Sequence, residues 1–174
     1  MQADPLNQIK VFAPDGTPLS TTQSNYDCQV DQYLPDTGTY TVLLGDADGI
    51  RTGSYTFFIQ RTNNPSNAAV FAYGESRFGT IDPSVEMESY TMTAGSGDYL
   101  YFRMNSSWQD NGKGKWLRLY GPDGTFVTSS QIWWISGSYY GWMPEGEIAA
   151  KAAQPGTYTL LAGSGGSERN ITGT

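Results

Sequence analysis

The chain has 174 residues, enough for one large β-sandwich or two small domains. Its 17 acidic and 10 basic residues give a net charge of −7, a field that repels a phosphate backbone and argues against nucleic acid as a partner. There is no histidine and a single cysteine, Cys28; this excludes a Ser-His-Asp or Cys-His arrangement and an intrachain disulfide, and removes the commonest zinc ligand.

Apolar residues make up 38% of the chain and aromatics 14%, so much of the core has to be built from Tyr, Phe and Trp. Together with 21 Gly and 9 Pro, this is the composition of short strands joined by tight turns, not of long helices. No apolar run approaches the roughly 20 residues of a membrane span, so no membrane insertion is expected. The segment Met1–Pro5 lacks the basic and apolar regions of a signal peptide; an exported parent is expected to carry its signal upstream of an added Met.

In chain order, Ile9–Thr17 (IKVFAPDGT) reads as an alternating strand closed by a Pro-Asp-Gly turn, with Pro presetting φ and Gly accepting a positive φ. Cys28–Tyr33 reads as a strand, Pro35–Gly45 (PDTGTYTVLLG) follows it, and Gly53–Gln60 (GSYTFFIQ) is a clear strand. Val70–Tyr73, Val85–Met92, Tyr99–Met104 and Lys115–Tyr120 alternate apolar with polar, placing Leu100, Phe102 and Met104 on one face. Glu147–Ala153 is good helix sequence by propensity, yet it aligns with Cys28–Tyr33, and strand is expected for both.

Self-similarity organises these elements. Ile9–Thr17 matches Leu117–Thr125 (LRLYGPDGT) at an offset of about 108 residues, and Pro35–Gly45 matches Pro155–Gly163 (PGTYTLLAG) at about 118. Both matches run in the same order, as a duplication with one insertion would leave them. Residues 1–60 are therefore expected to be the back part of one repeat, and residues 61–174 nearly all of the next. The second copy stops where the first continues through Gly53–Gln60. The expectation is an open edge that Gly53–Gln60 fills, either from the same chain or from a neighbouring copy.

With Glu88–Gly95 (ESYTMTAG), Trp116–Thr125 and Pro155–Leu161 in this order, the chain resembles the pre-peptidase C-terminal domain family of secreted bacterial and archaeal proteins. The pattern covers residues 70–174 well and residues 7–60 in part. The resemblance implies an all-β, antiparallel, jelly-roll-like β-sandwich, secreted or at the cell surface. It also implies an accessory role in binding, spacing or anchoring, with no active site; similar collagen- and carbohydrate-binding modules often hold calcium. The chain departs from the family pattern over Gln131–Gly146.

Three constellations bear on function. Paired carboxylates can hydrolyse glycosides without histidine, and Glu86, Glu88, Glu145 and Glu147 are the nearest candidates; Glu86 and Glu88 equally suit a solvated strand face, and a non-catalytic chain is expected. Asp46 and Asp48, in Asp46–Gly49 (DADG), place two hard oxygen ligands one residue apart beside a Gly. That pattern suits calcium, but it suits a polar hairpin loop as well, and the bidentate Glu of a complete calcium loop is missing. A weaker cation site would join Asn64, Asn67 or Glu75.

The third is Ile132–Met143 (IWWISGSYYGWM), which reads as a hairpin. Period two sends Trp133 and Trp134 to opposite faces, so both cannot belong to one core. Trp133, Trp134, Tyr139, Tyr140 and Trp142, joined by Trp108 from the Asn105–Gly114 loop, either stack on a polysaccharide or surface polypeptide or cover an open end of the sandwich. The expected partners are thus neighbouring repeats or copies of the chain itself, with a glycan or polypeptide ligand as the alternative.

Overall fold

In a computed structural model, the alternating segments become strands, and no helix forms among the described residues (6–25, 27–81, 86–105, 115–132 and 145–164). The chain divides into two compact units, whose described residues fall within 6–55 and 56–164.

The first unit is a three-stranded antiparallel sheet. It consists of β1 (Asn7–Phe12), β2 (Pro18–Ser24) and β3 (Thr41–Asp46), in the order β2-β1-β3. Period two turns Ile9 and Val11 of the central strand to one face, where both are buried.

The second unit has two sheets. The larger combines β4 (Ala69–Val70), β5 (Met87–Ala94), β7 (Lys115–Tyr120), β8 (Phe126–Ile132) and β10 (Gly156–Ser164) in the order β4-β5-β10-β7-β8. The smaller pairs β6 (Tyr99–Asn105) with β9 (Glu145–Lys151). Every pairing is antiparallel except the short β4–β5 ladder. Met92, Leu117, Leu119 and Leu160 of the larger sheet share one buried cluster with Leu100 and Ile148 of the smaller, which makes this unit sandwich-like. The larger sheet is also covered on its other side: Trp116, Arg118, Tyr120 and Thr159 are buried, with the Arg118 guanidinium 5.1 Å from the Trp116 ring centroid.

Several expectations are corrected. Gly53–Gln60 and Cys28–Tyr33 form no strand: neither finds a ladder partner among the described residues, and alternation alone does not satisfy backbone N–H and C=O groups. Tyr55 and Ile59, the apolar markers of the first segment, are exposed. Val70–Tyr73 shortens to β4, continued only by the Phe71 N–H donating to the Thr91 carbonyl at 2.8 Å. In the Glu147–Ala153 segment, by contrast, ladder pairing along β6 overrides helix propensity, and β9 is a strand.

The two units share a local plan. In the first, Val11 pairs with Ser20 and Val42; in the second, Leu119 pairs with Thr128 and Leu160. A register shift falls at Val11/Phe12 in one and at Leu119/Tyr120 in the other. The Pro-Asp-Gly turns agree as well. Asp15 Oδ1 accepts the Thr17 N–H at 2.8 Å and Asp123 Oδ1 that of Thr125 at 3.0 Å, while Gly16 and Gly124 take φ values of 86° and 85°. All these equivalences follow the two sequence offsets, about 108 and 118 residues.

Candidate functional site

The shared plan extends to a corner built on tyrosine. The Tyr40 hydroxyl donates to the Asp36 carbonyl at 2.7 Å and accepts the Asp36 N–H at 2.8 Å. Tyr158 does the same with Gln154, at 2.9 and 3.4 Å. Such a corner pins the chain where it enters a strand of a sandwich. Beside it, Gly38 lies against Pro14 and Gly156 against Pro122, each too close for a β-carbon.

The strands that follow these corners differ in their neighbours. β10 lies between β7 and β5, whereas β3 has β1 on one side and, among the described residues, no strand on the other. The difference appears residue by residue. Leu161 of β10 is 4% exposed and its equivalent Leu43 of β3 is 52% exposed; Leu160 is buried and Val42 only half-buried. At Gly163 an added β-carbon would lie 2.7 Å from both the Glu86 carbonyl oxygen and Met87 Cγ, while at the equivalent Gly45 nothing lies within 4 Å. Nor does β3 carry the usual guards of an edge strand: Thr41–Asp46 has no Lys, no Pro and no bulge. Its one charge, Asp46, is turned into the following loop.

That loop is where the sequence pointed to calcium. Asp46 Oδ1 accepts the Leu6 N–H at 3.1 Å, and Oδ2 accepts the N–H groups of Ile50 and Arg51 at 3.1 and 3.2 Å. Arg51 Nη1 also reaches Asp46 at 3.4 Å and Asp48 at 3.0 Å. Burial pushes the Asp46 carboxyl up, but these N–H donors and the Arg51 charge outweigh it and hold the group below its ordinary range. Arg51 supplies the positive charge between the two carboxylates. Among the described residues no group of three His, Cys, Asp or Glu side chains is placed to hold a metal. Of the weaker cation candidates, Asn67 pairs its amide with Gln60, and Glu75 binds Arg77 at 2.7 Å.

Trp108, Trp133, Trp134, Tyr139, Tyr140 and Trp142 lie outside the described residues. A different set of aromatics stands exposed. Tyr99 and Tyr101 project from the outer face of β6, at 82% and 62% exposure, because Leu100 and Phe102 take the inner one. Lys151 Nζ lies 5.9 Å from the Tyr99 ring centroid, and the Tyr101 hydroxyl donates to Glu147 Oε1 at 2.8 Å. Tyr73, 66% exposed, is fixed by its hydroxyl on the Thr93 carbonyl at 2.8 Å. The three tyrosines and Glu75 line a shallow cleft of about 110 Å³. The alternation that placed Leu100 inside already implied this face.

Glu88, one of the paired-carboxylate candidates, accepts the Tyr90 hydroxyl at 2.5 Å. Glu147 is shared by Tyr101 and, at 3.8 Å, Arg103. Nothing is described of the Glu145 side chain, and Glu86 precedes β5 on the same chain segment as Glu88. Among the described residues no helix is long and apolar enough to cross a membrane. Comparison with protein-family models, curated proteins and solved structures gives no match for this chain.

Proposed function

We propose that the chain is a non-catalytic structural repeat module of a secreted or cell-surface protein, acting in assembly through strand edges and packing between repeats. The observation that carries this reading is the recurrence of β2-β1-β3 in β8-β7-β10, with the same strand order, pairing register, bulge position, turn and tyrosine corner. Independent ancestry would not be expected to reproduce the bulge and the corner together; a duplicated unit does. The test is the coding sequence flanking this segment. Further copies of the Pro-Asp-Gly-Thr and Pro-Gly-Thr-Tyr pair, in the same order, are expected, and a flank without any would sink the repeat reading.

One observation favours a second reading, binding of a neutral polysaccharide. Tyr73 and Tyr101 are exposed yet held by hydroxyl hydrogen bonds, so their rings present fixed faces for a sugar to stack on at little entropic cost. Titration with a panel of soluble glycans, followed by chemical-shift changes of the Tyr99 and Tyr101 ring protons, tests it. A response abolished by Tyr101→Ala supports the reading, and an unresponsive panel counts against it.

A further inference from the structure

We propose that the edge of β3 away from β1 is a strand-acceptor site for an extended segment of β5 type from another repeat of this protein, docked antiparallel in the register that β5 takes on β10. The proposal rests on the repeat reading and names the partner that such a module would bind.

The register follows from the equivalence of β3 and β10. β5 sets Thr91 opposite Thr159, Ser89 opposite Leu161 and Met87 opposite Gly163. The equivalent positions on β3 are Thr41, Leu43 and Gly45. A docked segment therefore places its Thr91-like residue opposite Thr41 and its Met87-like residue opposite Gly45. Its Tyr90- and Met92-like side chains fall on the face that carries Ile9 and Val11.

Three independent features of β3 suit this occupant. Its outer backbone groups have no ladder partner among the described residues, and an added strand supplies one for each outward N–H and C=O. Its residues are exposed where their β10 equivalents are covered, Leu43 and Val42 above all. Gly45 is unexplained by the described residues: glycine inside a strand is less stable than alanine there, and no described neighbour requires it. On β10 the equivalent glycine is required by the close approach of β5. An edge strand without Lys, Pro or a bulge is otherwise an aggregation hazard.

The probe is a synthetic peptide with the sequence of residues 86–94, added to the whole chain at about 1 mM, near the effective concentration of a tethered neighbour. Amide hydrogen exchange locates it. Protection is expected at alternate residues of Thr41–Asp46, with little change elsewhere, and a peptide of scrambled order is expected to give none. Gly45→Val, a site with free space in the unbound chain, should keep the fold but weaken binding by at least about tenfold, because its side chain meets the docked backbone. Loss of protection across β5, with none gained at Thr41–Asp46, would mean that the peptide displaces β5, and the β3 site would be wrong. Absence of binding, or binding indifferent to Gly45→Val, would also overturn it. Neither result bears on the flanking coding sequence, so the repeat reading is judged separately.

Discussion

Gly163 sits directly opposite Met87, and its missing side chain is what lets the two strands close: a β-carbon there would lie 2.7 Å from Met87 Cγ and 2.8 Å from Met87 Cα. The backbone at Met87 cannot yield without disturbing the whole β5–β10 ladder. Gly163→Ala is therefore expected to destabilise the second unit by about 1–3 kcal/mol, as overpacking does. Gly45→Ala, at the equivalent position of β3, is expected to be neutral or stabilising by up to about 1 kcal/mol, since it restricts the unfolded chain and meets nothing. Urea denaturation of the two variants checks the contrast. Equal losses in both would mean that the edge of β3 is already covered.

The tyrosine corners offer a second paired comparison. Tyr158 is buried, so Tyr158→Phe leaves the Gln154 carbonyl and N–H without their partner in a part-buried place, at a cost of about 1–2 kcal/mol. The corner at Tyr40 is exposed, and water replaces the lost hydroxyl, so Tyr40→Phe is expected to cost less than about 1 kcal/mol. The shift is expected in the denaturation midpoint with the slope unchanged.

Asp46 gives the first unit an acid limb. With its carboxyl held below the ordinary range in the folded chain, the stability it contributes is complete above the unfolded-state value near 3.8 and is lost as pH falls through the depressed folded value. Asp46→Asn is expected to flatten the decline in stability on the acid side and to leave the alkaline side unchanged. Arg51→Ala removes the cationic partner but not the three N–H donors, so it should raise the Asp46 pKa only part of the way. Carboxyl chemical shifts followed through an acid titration check both variants.

The strand content was legible wherever alternation coincided with a partner. Ile9, Val11, Leu117 and Leu119 announced β1 and β7 by period, whereas β2 and β8, rich in Ser and Thr and lacking a clear apolar alternation, were not read as strands. The Gly-Thr-Tyr repeat was visible, but the hydroxyl contacts of Tyr40 and Tyr158 four residues upstream were not, because a sequence match does not say which groups close a corner. Gly53–Gln60 misled for the converse reason. Alternation records what a segment could do at an edge and is silent on whether an edge is there. At Asp46 and Asp48 the pattern marked two carboxylates correctly; what it did not reveal was that the chain returns Arg51 to neutralise them. The exposure of Leu43 and the idle Gly45 could not be read from either copy alone, since they acquire meaning only against Leu161 and Gly163.

Tyr90 extends the argument to alkaline pH. Its ring packs against Phe71 with centroids 5.5 Å apart, and its hydroxyl donates to Glu88 at 2.5 Å. Desolvation by burial, then the hydrogen bond and the negative charge of Glu88, push the phenol up to about 12 from an ordinary 10. The folded chain thus keeps a proton that the unfolded chain releases. The stabilisation is fully present below about pH 10 and is lost as pH rises through the folded value near 12. A tyrosinate absorbance titration should show one phenol ionising well above the ordinary range. Glu88→Gln removes the charge but leaves an acceptor, so it should bring that phenol partway down, with burial holding the remainder. A wild-type titration in which no tyrosine lags, or a Glu88→Gln variant with an unchanged curve, would show that the carboxylate does not hold this proton.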